Sequence, residues 1–139
     1  MTNVLVPYDG SPQAKSALEH ALEAFPDDDI LVMTVIDPAE ASYATGEEYS
    51  FRGENWYETA KKDAERLLEE ARRAAADRQI ETEHVVGRPA KAIVEHIEER
   101  PIDHVVMGSH GRTGVSRLIL GSVAETVVRR SPVPVTVVR

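Results

Sequence analysis

The chain has 139 residues, a length that suits one domain with a sizeable core and leaves no room for a second. With 42% hydrophobic and 29% charged residues the composition is that of an ordinary globular protein, and no run reaches the roughly 18 apolar residues of a membrane helix. The formal charge of −8 speaks against nucleic acid as a partner, and the absence of cysteine excludes disulfides and thiolate nucleophiles.

The five histidines show no HExxH or close HxxxH pairing, so a structural zinc site is not expected. The opening MTNVLVPYDGS lacks the sections of a signal peptide, and the expected location is the cytoplasm, with no membrane partner. Charge is unevenly spread. Residues 101–139 hold five arginines against Asp103 and Glu125, a balance of +3, which leaves −11 for the first 100. A basic end on an acidic body suits a small anionic ligand there; a solubilising acidic surface explains the same numbers.

Asn3 to Pro7 is a short apolar run that reads as a buried strand. Asp9-Gly10-Ser11-Pro12 then supplies a turn, an N-cap serine and a proline at the first helical position. Ala14, Ala17, Leu18, Ala21, Leu22 and Phe25 follow at helical spacing, which predicts an amphipathic helix over 12–25. Ile30 to Ile36 is a near-continuous apolar strand, the form expected where helices cover both faces of a parallel sheet.

From Asp37 to about Gly53 no period is visible and a loop is expected. Five of the seven aromatics fall in 43–57 (Tyr43, Tyr49, Phe51, Trp56, Tyr57), as a lid, a partner surface or packing at the entry of the next helix. That helix is predicted over 54–78, with Ala60, Ala64, Leu67, Leu68, Ala71 and Ala75 on one face and Glu69 with Arg73 as a wet i,i+4 pair.

Ile80 to Val86 reads as a third strand at a sheet edge, and Gly87-Arg88-Pro89 turns into a helix over 90–99. Asp103 to Met107 is the fourth strand; Val123, Val127 and Val128 mark a helix over 122–130 that ends in Arg129-Arg130, where positive charge suits a carboxyl end. Val133 to Val138 makes the last strand. Strands alternating with helices imply an α/β protein, a doubly wound parallel sheet with helices on both faces. Ligands bind such sheets outside the carboxyl ends of the strands, where the winding reverses.

The segment with the most particular composition is MGSHGRTGVSRLILGS, residues 107–122. Gly108 directly follows a strand, Gly111 comes three residues later, and Gly121-Ser122 stands where the next helix begins. Glycines allow close approach and can point successive amides at one anion, and a helix start adds free N–H groups and a favourable dipole. Three or four such bonds, each worth about 1.5–3 kcal/mol to a charged group, hold a polyphosphate without a lysine. Read one at a time the glycines are turn and cap residues; their combined spacing favours phosphate. Neither a GxxxxGK followed by Ser or Thr nor a GxGxxG after the first strand is present, which disfavours the P-loop and standard dinucleotide folds.

VPYDGS near the start and GSHGRTGVSRLILGSVAETVVRRSPVPVTVV at the end resemble the universal stress protein family, and the resemblance covers essentially the whole chain. The G-x2-G-x9-G-S pattern of that family's ATP-binding subgroup is matched by Gly108, Gly111, Gly121 and Ser122. The resemblance implies a single domain, 1–139, with a five-stranded parallel sheet of order 3-2-1-4-5 and a homodimer formed through the last strand, 133–138. It implies ATP as ligand, with Mg2+ or Mn2+.

By the same resemblance Asp9 sits by the ribose or a phosphate-bound metal, with Pro7 shaping the turn. Val35 meets adenine through its backbone, Met107 lies against the base, and Gly108 packs near the ribose. Gly111, Arg112, Gly121, Ser122 and Val123 surround the phosphates. Tyr8 stands where a smaller polar residue is common. A plain turn role for Asp9 and a solvated charge for Arg112 are the less favoured alternatives, Arg117 reads either way, and His110, which has the chemistry of an acid or base near neutral pH, reads rather as a loop histidine without catalytic duty.

Two functions compete. One is a dimeric ATP-binding stress regulator whose nucleotide changes a surface seen by an unidentified protein partner. The other is a slow ATPase or nucleotidyl-transfer enzyme, against which stand the missing lysine and the missing clustered carboxylates. A phospho-acceptor receiver domain is rejected, because Val85-Val86-Gly87 ends the third strand where an acidic residue is required.

Overall fold

The computed structural model describes residues 2–39, 53–110 and 120–139. In chain order its elements are β1 (Asn3–Pro7), α1 (Pro12–Ala24), β2 (Asp29–Ile36), α2 (Gly53–Ala75), β3 (Glu81–Val86), α3 (Pro89–Glu99), β4 (His104–Gly108), α4 (Ser122–Arg130) and β5 (Val135–Val138). The strands form one parallel sheet of order β3-β2-β1-β4-β5, as the resemblance implied.

Strand period 2 explains the two-sided core. Val4, Val6, Ile30, Val32 and Val106 point to one face, where they meet Ala14, Ala17, Leu18 and Ala21 of α1 and Leu67, Leu68 and Ala71 of α2. Leu5, Leu31, Met33, Val105 and Met107 point to the other face, against Ile93 and Ile97 of α3 and Ala124 and Val127 of α4. The apolar stripes read from the sequence are the buried ones, with one exception. Val128 is 45% exposed on α4, and Ala124 takes the inward place beside Val127.

Two boundaries move by more than one residue. The long helix ends at Ala75 rather than at residue 78, because Ala76 takes a left-handed conformation (φ 55°). Arg78 is thereby free to reach across to α1, where its guanidinium donates to the carbonyls of Leu22 (3.2 Å) and Asp28 (2.7 Å) and also to that of Phe25. These bonds satisfy carbonyls that a helix end leaves open. The last strand begins at Val135, since Ser131 and Val133 bond to each other (2.8 and 3.1 Å) and hold the entry as a turn. The first strand boundary, the N-cap at Ser11 and the edge position of β3 agree with the sequence reading.

β4 opens on His104, whose Nε2 pairs with Thr136 Oγ1 of β5 at 2.7 Å and whose ring lies 5.0 Å from that of Phe25. Burial, and secondarily repulsion from His20, holds its pKa below the ordinary histidine value of 6.5. The unfolded chain therefore takes up this proton more readily than the folded one. The contribution of neutral His104 is intact above about pH 6.5 and is lost as pH falls below that value towards the folded-state pKa. We expect the thermal midpoint to drop between about pH 7.5 and about pH 5.5, and to drop less in His104→Gln, as read by scanning calorimetry. Equal drops would show that other groups carry the acid sensitivity.

Candidate functional site

The sheet order puts β1 beside β4, while the chain leaves β1 towards β2 and leaves β4 towards β5. The winding reverses between these two strands, and a crevice opens there at their carboxyl ends. Pro7 ends β1, and Tyr8 N–H continues the pairing onto the Met33 carbonyl at 2.8 Å. Asp9 follows, its Oδ1 accepting from the Ser11 amide at 2.9 Å. Gly10 turns the chain with φ +81°, and its missing Cβ makes room for Leu67, whose Cδ2 would lie 2.6 Å from such an atom. Ser11 then caps α1, its hydroxyl accepting from the Ala14 amide at 3.1 Å.

Across the crevice Met107 and Gly108 end β4, and the Ser109 amide donates to the Val138 carbonyl at 2.8 Å. Residues 111–119 lie outside the described residues, and with them Gly111 and Arg112. The chain returns at Leu120. The Gly121 amide donates to the Ser109 carbonyl at 2.7 Å, which closes the segment's two ends onto each other. Gly121 is the N-cap of α4 and has no side chain with which to cap it. The first amides of α4, at Ser122, Val123 and Ala124, therefore face outward from the helix start without the side-chain acceptor that Ser11 provides for α1.

The reading of the glycines changes here. At Gly108 a Cβ would stand 2.7 Å from Gln13 Cβ and 2.8 Å from the Gln13 carbonyl carbon. At Gly121 it would stand 3.1 Å from the Ser109 oxygen. Both positions are crowded by the protein's own backbone, so neither accepts a Cβ without a shift.

Met107 is buried in the core on the α3–α4 side, and Val35, near the carboxyl end of β2, packs half-buried against the same cluster. Val123 joins that cluster from α4, while Ser122 is exposed. Pro7, Asp9, Gly108, Gly121 and Ser122 thus lie at or just beyond the carboxyl ends of β1 and β4 or at the start of α4, while Val35 and Met107 belong to the apolar cluster on the α3–α4 side. Tyr8 does not join them. Its ring is buried on the α1–α2 side, its hydroxyl donates to Glu70 Oε1 at 2.8 Å, and its carbonyl accepts from Thr34 Oγ1 at 2.8 Å. Burial first, then the bond to Glu70, raises the tyrosine pKa, while Glu70 is held low chiefly by that hydroxyl and further by Lys15 at 3.2 Å. A large residue fits at position 8 because it points away from the site.

The sequence reading took His110 for a loop histidine without catalytic duty. Its Nδ1 lies 3.1 Å from Ser109 Oγ, and its Nε2 is buried with no partner. Only the neighbouring glycines hinted at it. Of the aromatic segment, Tyr43, Tyr49 and Phe51 lie outside the described residues; Trp56 and Tyr57 meet edge to face with centroids 6.0 Å apart, at the start of α2.

A parallel sheet of order 3-2-1-4-5 whose winding reverses between β1 and β4 places the chain among the doubly wound α/β proteins. Comparison narrows the class: the universal stress protein family model matches residues 1–139, and the chain belongs to that family. Universal stress protein MJ0531 of Methanocaldococcus jannaschii is 33% identical, with 98% of this chain and 81% of that protein aligned. The solved universal stress protein UspA of Lactobacillus plantarum superposes with a TM-score of 0.84 at 26% identity, over 99% of this chain and 97% of that one. A universal stress protein solved in complex with cAMP superposes with a TM-score of 0.67 at 26% identity, over 99% and 97%.

Because Gly108 is hemmed in by α1 backbone, we expect Gly108→Ala to destabilise the protein by about 1–3 kcal/mol in urea unfolding without any ligand present. Unchanged stability would mean that α1 and β4 separate at no cost.

Proposed function

We propose that this chain is an adenine-nucleotide-binding regulatory protein of the cytoplasm, with ATP as its ligand. It acts as a homodimeric switch, one nucleotide-binding domain per chain, and its bound nucleotide alters a surface that another protein reads. The observation that carries the reading is the uncapped start of α4 at the sheet's switch point. The phosphates lie against the amides of Ser122 and Val123, with Gly111 and Arg112 completing their surroundings. The base lies between the Val35 backbone and Met107, the ribose beside Gly108, and Pro7 shapes the turn that carries Asp9. A Mg2+ or Mn2+ ion travels with the phosphates and takes Asp9 as its protein carboxylate, in keeping with the few protein ligands that Mg2+ uses. The family relative in complex with cAMP supports an adenine nucleotide as the ligand class.

The second subunit pairs along β5. All its residues are half-buried, and its outer edge carries β-branched side chains that a lone chain would leave open to aggregation. A slow ATPase or nucleotidyl transferase of the same fold has less support. Among the described residues no group of three His, Asp or Glu side chains converges as a metal site, and no lysine occurs in 107–122.

Acid extraction of the purified protein, followed by identification of the released nucleotide, tests the ligand; calorimetric titration with ATP, AMP and cAMP ranks the candidates. Sedimentation gives the subunit count, with a dimer expected. Absence of binding at about millimolar nucleotide would end the reading. Ser122→Pro removes one amide donor at a position where helices accept proline, and Gly121 before it is extended (φ −72°, ψ 166°), as a residue preceding proline must be. We expect about tenfold weaker ATP binding with an unchanged thermal midpoint.

A further inference from the structure

Among the described residues His110 Nε2 is the one buried side-chain polar atom without a hydrogen-bond partner. A buried donor or acceptor left open is costly, so such an atom in a folded protein calls for an explanation. Three features of its surroundings supply one.

The first is the partner of the other ring nitrogen. Nδ1 lies 3.1 Å from Ser109 Oγ, and Ser109 is itself buried. With the Ser109 hydroxyl as donor to Nδ1 the ring proton sits on Nε2, which is then an N–H donor; with the roles exchanged Nε2 is an acceptor. The second is position. The ring packs against the start of α4: a Cβ on Gly121 would stand 3.4 Å from His110 Cα and 3.7 Å from Cδ2, the carbon bonded to Nε2. The third is that α4 begins there without a side-chain cap. The unpartnered imidazole nitrogen and a helix start that carries no side-chain cap therefore sit side by side. Rigidity adds to this, because Ser109 is anchored to Val138 and to Gly121 through its backbone.

We propose that His110 is a ligand-binding residue whose Nε2–H donates to a phosphate oxygen of the nucleotide held at the start of α4. The inference rests on the nucleotide reading of this site and adds a residue to it. Its chemical consequence is selectivity for the charged end of the ligand. The imidazole rewards an anionic oxygen and is indifferent to the base and the sugar.

The test uses the full chain and two ligands, ATP and adenosine, in calorimetric titrations of the wild type, His110→Ala and His110→Gln. We expect His110→Ala to weaken ATP binding about tenfold or more and to leave adenosine within about twofold, with His110→Gln, which keeps an N–H donor, recovering part of the loss. In parallel, nitrogen chemical shifts of the wild type labelled with 15N-histidine report Nε2 directly. A protonated Nε2 that shifts on adding ATP supports the proposal even if both variants fold poorly. Equal ATP affinity in wild type and His110→Ala, or an unprotonated Nε2 that ignores ATP, overturns it while the nucleotide reading stands. A wild type that binds neither ATP nor adenosine overturns both together.

Discussion

The hydrogen bond from the Gly121 amide to the Ser109 carbonyl governs the geometry of this protein's functional end. It brings the residue after β4 and the residue before α4 together, although eleven residues separate them in the chain. Everything of chemical interest depends on that closure. It sets the residue before α4 directly against Ser109 and His110. Glycine at 121 is the residue that permits so close an approach, since even a methyl group would press on the carbonyl.

The crevice has two helix starts, and the chain treats them differently. α1 is closed by Ser11, whose hydroxyl is buried and occupied, and by a proline that removes a donor. α4 has neither device. One helix start at the switch point is thus closed by a side chain and the other is not. The same division separates Tyr8 from its neighbours. Its hydroxyl serves the Glu70–Lys15 group on the α1–α2 side, which ties β1 and α1 to α2 by polar contacts of moderate exposure. Such half-exposed pairs contribute little energy singly and chiefly fix orientation.

Charge follows the same logic on a larger scale. The acidic residues are concentrated in the first 100 positions, and the arginines of the last segment set the sign of the ligand end. A fixed array of main-chain donors requires no reorganisation when an acceptor arrives.

Much of this was legible before any coordinates. Uninterrupted apolar strands at Val4–Val6 and Ile30–Val32 required cover on both faces, and the 3-and-4 spacing of Ala14, Ala17, Leu18 and Ala21 named the helix face that supplies it. Asp9-Gly10-Ser11-Pro12 specified its turn and cap through local steric and hydrogen-bonding rules alone. The family pattern marked Gly108, Gly121 and Ser122 as belonging together. What the glycines make room for was not legible, because the atoms that fill those places, on Gln13 and Ser109, come from distant elements or from a loop closure. The long helix stops at Ala75 where local periodicity would have prolonged it, and Arg78 beyond it meets carbonyls fifty or more residues away in the chain. His110 looked like any loop histidine until packing buried one of its nitrogens. Local sequence determined the elements and their inward faces, since those follow from neighbouring residues. Tertiary structure decided which polar groups were satisfied and which were left open, since that depends on what the folded chain brings within hydrogen-bonding distance.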